Sequence, residues 1–179
     1  ALAGRARARM ALGDWPRAAV DWNRAVSLAP RDPAIVAGRG AFRLRAGNAE
    51  GALADFEQAG RFDRRDTAID FNRGMALAEL GRDAEAERAF SQVIARDRDD
   101  AEAWLNRARL RAAREPDAAL TDFSRAIALR PEWGLAYFER GLLHDTQGRV
   151  NAAAEDFRRA WELGHRDAFL EQRIRAMGG

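Results

Sequence analysis

The stretch that decides the fold is GNAEGALADF, at residues 47–56, because it recurs 34 residues later as GRDAEAERAF, at residues 81–90. The same shift of 34 residues pairs Gly13 with Gly47, Ala18 with Ala52 and Trp22 with Phe56. Self-similarity at a fixed period of about 20–50 residues is typical of proteins built from stacked structural repeats. The chain is therefore expected to be an array of similar units.

Three series of residues carry the repeat along the whole chain. The first is an alanine series: Ala18, Ala52, Ala86, Ala119 and Ala153. The second is aromatic: Trp22, Phe56, Phe90, Phe123 and Phe157. The third consists of small residues: Ala6, Gly40, Gly74, Ala108 and Gly141. One residue is missing near Glu115 and Pro116, which shortens a single step to 33 residues without breaking the register of the five copies.

Each copy is predicted to be a pair of helices. Ala52, Phe56 and Ala59 are spaced as one face of a helix. Glycine suits the turn between the two helices because it adopts the left-handed backbone at a helix end, and proline suits a helix start. These turn residues are Gly47, Gly81 and Gly148, with Pro116 in the fourth copy. Aspartates stand where the first helix of a pair needs an N-cap: Asp32, Asp66, Asp100 and Asp167.

A steric argument applies to the small residues at the middle of the first helices. Glycine inside a helix costs about 1 kcal/mol relative to alanine. Gly40, Gly74 and Gly141 are therefore expected where two helices approach closely, with the aromatic residue of the second helix covering the gap.

The period and the order of small residue, turn glycine, alanine and aromatic residue resemble the tetratricopeptide repeat. The resemblance implies an all-α, right-handed α-solenoid in one domain, residues 1–179. Its repeats would be 1–32, which lacks its first residues, 33–66, 67–100, 101–133 and 134–167. An amphipathic capping helix would follow at 168–177. Because the chain begins inside a repeat, we expect it to be a piece of a longer protein.

An arginine occupies the seventh position of every repeat: Arg5, Arg39, Arg73, Arg107 and Arg140. An aspartate occupies a fixed later position in four repeats: Asp21, Asp55, Asp122 and Asp156. The third repeat has Ala89 there. We expect each arginine to reach an aspartate on a neighbouring helix and fix the helix register. The alternative is that these arginines contact a ligand.

Composition argues against several functional classes. All thirty basic residues are arginine, yet the formal net charge is only +2, and only Arg5, Arg7 and Arg9 form a basic cluster. Nucleic-acid binders usually concentrate basic charge on one face, so no nucleic-acid partner is expected. The chain has no cysteine, so no disulfide is expected. No apolar run approaches the roughly 18 residues that a membrane-spanning helix needs, so no membrane insertion is expected. The compartment stays open between cytoplasm and periplasm.

The resemblance also implies a concave groove lined by first helices, which binds a protein or peptide partner. The predicted peptide-binding residues are Phe71, Asn72, Met75, Leu105, Asn106, Arg109, Phe138 and Leu142. An asparagine side chain both donates and accepts hydrogen bonds, so Asn72 and Asn106 match the backbone of an extended peptide. The alternative is that these two amides bond within the stack or point to solvent. The clamp that grips acidic chaperone tails is not expected, because the fifth positions lack its basic residues.

Nothing in the sequence points to catalysis. His144 and His165 are the two histidines, and neither belongs to a metal-binding, phosphate-binding or nucleophile motif. We therefore expect no enzyme activity, no catalytic residue, no metal and no cofactor. The predicted function is a scaffold that binds an extended peptide or a partner helix in the groove. The alternative is a structural adaptor, or an element that forms homo-oligomers through its terminal hairpins.

Overall fold

The computed structural model describes residues 1–177, which form eleven helices and no strand. The first six helices are α1 (Leu2–Ala11), α2 (Trp15–Leu28), α3 (Pro33–Arg45), α4 (Ala49–Phe62), α5 (Thr67–Glu79) and α6 (Asp83–Arg96). The remaining five are α7 (Ala101–Arg111), α8 (Pro116–Leu129), α9 (Gly134–Thr146), α10 (Val150–Glu162) and α11 (Ala168–Met177). The prediction of an all-α helical repeat fold is confirmed.

The chain divides into two compact units. The N-terminal unit runs from Ala1 to Val93, and the C-terminal unit begins at Ile94. Consecutive helices pack on each other within each unit: α1 to α5 in the first, and α7 to α11 in the second. The predicted repeats each contain one helix pair, and every predicted boundary falls just before the first residue of a helix.

The helix ends follow from local chemistry. Asp32, Asp66, Asp100 and Asp167 accept hydrogen bonds from backbone N–H groups of the following helix, at 2.9–3.3 Å. These bonds satisfy N–H groups that have no partner inside the helix. Gly47 and Gly148 lie in the turns at φ of 77° and 70°, a backbone region that side chains rarely tolerate. Pro116 is the first residue of α8. The predicted caps and turns are confirmed.

Small and aromatic residues form the core between the two helices of each pair. The side chains of the aromatic series are at most 2% exposed. A Cβ atom added to Gly40 would lie 2.8 Å from the ring of Phe56, and one added to Gly141 would lie 2.8 Å from the ring of Phe157. The same relation holds for Gly74 and Phe90. The expected close approach, with the ring covering the gap, is confirmed at these three positions.

The predicted arginine–aspartate pairs form in four repeats. Arg107 donates from Nε and Nη2 to the two carboxylate oxygens of Asp122, each at 2.8 Å. Equivalent two-bond pairs join Arg5 to Asp21, Arg39 to Asp55 and Arg140 to Asp156. The four aspartates are 2–5% exposed, so each pair joins two helices through a buried carboxylate. Two-bond pairs of this kind fix geometry as well as supplying energy.

The third repeat differs because Ala89 cannot accept a hydrogen bond from Arg73. Arg73 instead bonds Gln92 at 2.7 Å and pairs with Asp70 of its own helix at 3.1 Å. The five arginines therefore have partners within the protein, which supports the structural interpretation of the series over ligand contact.

Candidate functional site

A cleft of about 710 Å³ opens in the C-terminal unit, where α7, α8 and α9 meet. Most of its lining is apolar: Ala112, Ala113, Pro116, Phe123, Phe138, Leu142 and Leu143. Its polar lining residues are Arg109, Glu139, Thr146 and Gln147. A concave, mainly apolar surface with a few polar groups is the usual form of a binding site.

The cleft lies at the irregular point of the repeat. α7 has 11 residues, whereas α3, α5 and α9 have 13 each. Its chain then turns through Ala112 and Ala113 to Pro116, the first residue of α8. The missing residue of the fourth repeat therefore coincides with a shortened helix and with two side chains too small to fill the space beside α9.

Phe138 is the aromatic side chain that α9 presents to this cleft. Its ring is half-buried and contacts the rings of Phe157 at 6.1 Å, His165 at 4.7 Å and Phe169 at 6.4 Å between centroids. Phe157 lies on α10 and Phe169 on α11, so two further helices support the ring from behind. Tilted and edge-on arrangements are the ones that aromatic pairs favour, so these contacts stabilise the Phe138 side chain in this position.

An ion pair crosses the polar edge of the cleft. Arg109 of α7 donates to both carboxylate oxygens of Glu139 on α9. It also donates from Nη1 to Oδ1 of Asn106, one turn earlier on α7, at 3.1 Å. The Arg109 side chain is 42% exposed, so solvent weakens the pair and its contribution to stability is at most about 1 kcal/mol.

Comparison with known families identifies the repeat. Two family models, both described as tetratricopeptide repeat, match the chain: one at residues 43–110, the other at residues 4–66 and 109–164. The chain belongs to the tetratricopeptide repeat family. Members of this family are in general non-catalytic scaffolds that bind protein or peptide partners. The chain has the repeat scaffold that the family uses for protein interaction. No curated protein sequence matches it.

Solved tetratricopeptide proteins share the fold at low sequence identity. MamA from Desulfovibrio magneticus RS-1 is 17% identical, with 90% of this chain and 92% of that chain covered and a TM-score of 0.83. PilF from Pseudomonas aeruginosa is 17% identical, with 94% and 78% covered and a TM-score of 0.83. YrrB, described as having an unusual peptide-binding site, is 18% identical, with 98% and 90% covered and a TM-score of 0.77. At these identities the likeness extends to the tetratricopeptide fold alone.

The predicted groove residues of the tetratricopeptide array fall in three places. Arg109, Phe138 and Leu142 line the cleft of the C-terminal unit. Phe71 and Met75 are half-buried in the N-terminal unit, where the ring of Phe71 lies 5.5 Å from that of Phe90. The prediction for Leu105 was wrong. Its side chain is 2% exposed and packs in the core with Phe123 and Ile127, so it presents no surface to a ligand.

The two asparagines have partners in their own helices. Asn72 donates from Nδ2 to the carbonyl oxygen of Ala68, and Asn106 donates in the same way to Glu102, both at 2.8 Å. Asn106 also accepts the bond from Arg109. A peptide backbone would have to compete with these bonds, so the structure favours the alternative that both amides bond within the stack.

The arginines at the C-terminal ends of α3 and α7 offer little free positive charge to an acidic partner. Arg43 pairs with Asp55 at 2.9 Å, and Arg111 pairs with Asp122 at 3.1 Å. Arg45 lies over the ring of Trp15, at 5.8 Å. Because carboxylates of the protein already hold two of these guanidinium groups, an acidic partner would meet little uncompensated positive charge.

Several cleft residues were not predicted from the sequence. Examples are Leu143 and Gln147, which lie at positions that the tetratricopeptide resemblance does not place in the groove. The missing residue near Pro116 is the sequence signal that could have indicated them. A repeat that is one residue short leaves space that the side chains of the neighbouring helices do not fill. Among residues 1–177 there is no grouping of three or more acidic or histidine side chains suited to a metal ion. Over the same residues no helix has the length and apolar character needed to cross a membrane.

Proposed function

We propose that the chain binds an amphipathic helix of a partner protein in the cleft between α7, α8 and α9. The observation that carries this proposal is the cleft itself, an apolar concavity of about 710 Å³ on a repeat scaffold. Helices bind grooves of this kind through apolar side chains at positions i, i+3, i+4 and i+7. The volume lies within the ~300–1,000 Å³ typical of ligand sites and has room for several such side chains.

A helix fits the cleft better than an extended peptide. An extended peptide is held mainly through its backbone, and the two amides suited to that task already bond to carbonyl groups of their own helices. A helix satisfies its own backbone hydrogen bonds and presents only side chains. The description of YrrB as a peptide-binding protein agrees with this class of function, although its site cannot be transferred at 18% identity.

The polar edge suggests how the bound helix would be oriented. Arg109 and Glu139 form an ion pair beside the apolar lining of the cleft. We expect the boundary between the apolar and polar faces of the bound helix to lie next to this ion pair. Phe138 is the anchor we expect to contribute most, since it is an aromatic ring already fixed by its neighbours.

The test is a selection of peptides from a displayed library of amphipathic helices, followed by calorimetric titration of the enriched peptides. Ala113 is exposed and lines the cleft, so Ala113→Trp would fill the space without removing a core contact. Ala46 is exposed in the α3–α4 turn of the N-terminal unit, and Ala46→Trp is the matched control.

We expect the enriched peptides to bind the wild-type chain and Ala46→Trp alike, and to lose at least tenfold in affinity, about 1.4 kcal/mol, with Ala113→Trp. Equal binding to all three proteins would refute the cleft as the site. Enrichment of extended peptides without helical periodicity would refute the helix as the occupant.

Self-association is a second candidate because the first hairpin exposes apolar side chains. Leu12 is 84% exposed, Val20 64% and Leu28 71%, and the last two lie on α2. Light scattering after size-exclusion chromatography tests it at two salt concentrations. A dimer that persists in high salt and is lost with Val20→Glu/Leu28→Glu would support this function, whereas a monomer at all concentrations would contradict it.

A further inference from the structure

The buried aspartates are bound by more than one cation in three repeats. Arg9 donates to Asp21 at 2.7 Å, in addition to the two bonds from Arg5. At the corresponding positions Arg43 pairs with Asp55 at 2.9 Å and Arg111 with Asp122 at 3.1 Å. The second cation comes from the position four residues after the first, one turn further along the same helix.

The last hairpin, formed by α9 and α10, breaks this pattern. Arg140 makes the usual two bonds to Asp156, but the position of the second arginine holds His144. The third repeat has Leu77 at this position, and there the aspartate is also replaced, by Ala89. The fifth repeat therefore differs from the other four, because it keeps the buried carboxylate and replaces the second arginine with a group that titrates.

His144 lies in a setting that disfavours its charged form. Its Nδ1 atom is buried, and none of the described residues offers it a hydrogen-bond partner. Burial is the main cause that lowers the pKa of His144 below 6.5. Arg140 on α9 and Arg149 just before α10 lower the pKa further, while Asp156 on α10 opposes them. The adjacent Asp145 is engaged by Arg173 of α11.

The direction of this shift sets the direction of the pH effect. A histidine with a lowered pKa in the folded state binds its proton more readily when the chain is unfolded. Above pH 6.5 the imidazole is mainly neutral and does not lower the free energy of unfolding. As the pH falls below 6.5, the unfolded chain binds the proton more readily and the free energy of unfolding decreases. The arginines in the other repeats stay charged throughout this range.

We propose that His144 makes the α9–α10 hairpin the acid-labile part of the stack. At neutral pH the imidazole is uncharged, and among the described residues Arg140 is the one arginine that bonds Asp156. Under mild acid the proton taken up by His144 weakens the folded hairpin, while the hairpins with two arginines keep their stability. The proposal concerns the stability of the hairpin and does not depend on what the cleft binds.

The test is hydrogen exchange of the whole chain at pH 7.5 and pH 5.5, read by mass spectrometry and corrected for the intrinsic rate at each pH. Peptides from α9–α10 are compared with peptides from α3–α4, where Arg43 occupies the position of His144. In the wild-type chain we expect protection of α9–α10 to fall several-fold at pH 5.5 relative to α3–α4.

Three variants separate the causes. His144→Arg and His144→Gln remove the titrating group and should abolish the relative fall, each serving if the other fails to fold. His165→Gln removes the other histidine and should leave the fall unchanged. An undiminished fall in both His144 variants would overturn the proposal. So would a rise in wild-type protection at pH 5.5, which would mean that the imidazolium pairs with Asp156.

Discussion

Single residues hold the helix pairs in register through buried charge. Asp122 is 2% exposed and receives hydrogen bonds from Arg107 and Arg111, whose side chains are 13% and 19% exposed. A buried pair adds little net energy over a well-packed apolar pair, but removing one partner leaves the other charge buried and uncompensated. The effect of such a pair is therefore best measured by breaking it.

Asp122→Ala is expected to lower the free energy of unfolding by about 3–5 kcal/mol, because two half-buried guanidinium groups lose their carboxylate. Asp117→Ala is the control on the same helix. Asp117 is 84% exposed and pairs with Arg149, so its loss should cost at most about 1 kcal/mol. Urea unfolding measures both variants, and similar losses would contradict a structural role for the buried pair.

The close packing of the central glycines against aromatic rings is a second feature at the scale of single residues. An alanine at Gly141 would place its Cβ 2.8 Å from the Phe157 ring, whereas one at Gly60 would make an ordinary contact of 3.7 Å with Ile69. Overpacking costs about 1–3 kcal/mol, offset by about 1 kcal/mol of helix preference for alanine. Thermal unfolding should therefore show Gly141→Ala less stable than wild type, and Gly60→Ala more stable by about 0.5–1 kcal/mol. Stabilisation by both would refute the close approach.

The sequence predicts some residue contacts well and others poorly, for a physical reason. The arginine–aspartate pairs follow from periodicity, because equal spacing places equivalent side chains at equivalent positions in every hairpin. Leu105 and Asn72 were harder to place, since a small rotation of a helix decides whether a side chain lies in the core or on the surface. Whether an amide bonds its own helix or a ligand is likewise decided by a side-chain rotamer, which the sequence does not specify.

At the scale of helices, the ends are set by single capping residues. Asp100 accepts a hydrogen bond from the backbone N–H of Ala103 at the start of α7, at 2.9 Å. Asp99 is 81% exposed and makes a surface pair with Arg125 at 3.3 Å. The two neighbouring aspartates therefore have different roles.

We expect Asp100→Ala to destabilise the chain by about 1 kcal/mol, because an N–H group at the start of α7 loses its partner. Asp99→Ala should change the stability by less, since an exposed ion pair contributes little. Chemical unfolding of the two variants under identical conditions measures this difference. A larger loss from Asp99→Ala would show that the cap does not set the start of α7.

The positions and lengths of the helices can be predicted from the sequence repeat, but the cleft cannot. The 34-residue period, with its glycines, prolines and aspartates, predicts where the helices begin and end. The cleft depends on how α7, α8 and α9 close around one missing residue and two alanines. That outcome is a matter of side-chain volume in three dimensions, so the sequence indicates only that the fourth repeat is irregular.

At the scale of the whole molecule, the family and the all-α repeat fold are shown, while the proposed function rests on the cleft. Solved relatives at 17–18% identity share the fold, and they leave the occupant of the cleft to be determined from the residues of this chain. The proposed partner helix binds against Phe138 and Leu142.

Binding at this place is tested by a methyl NMR spectrum of the leucine-labelled chain during titration with an enriched helical peptide. We expect the methyl signals of Leu142 and Leu143, which line the cleft, to shift with the peptide, while those of Leu28 on α2 stay in place. Shifts at Leu28 without shifts at Leu142 and Leu143 would contradict this expectation and place binding on the first hairpin.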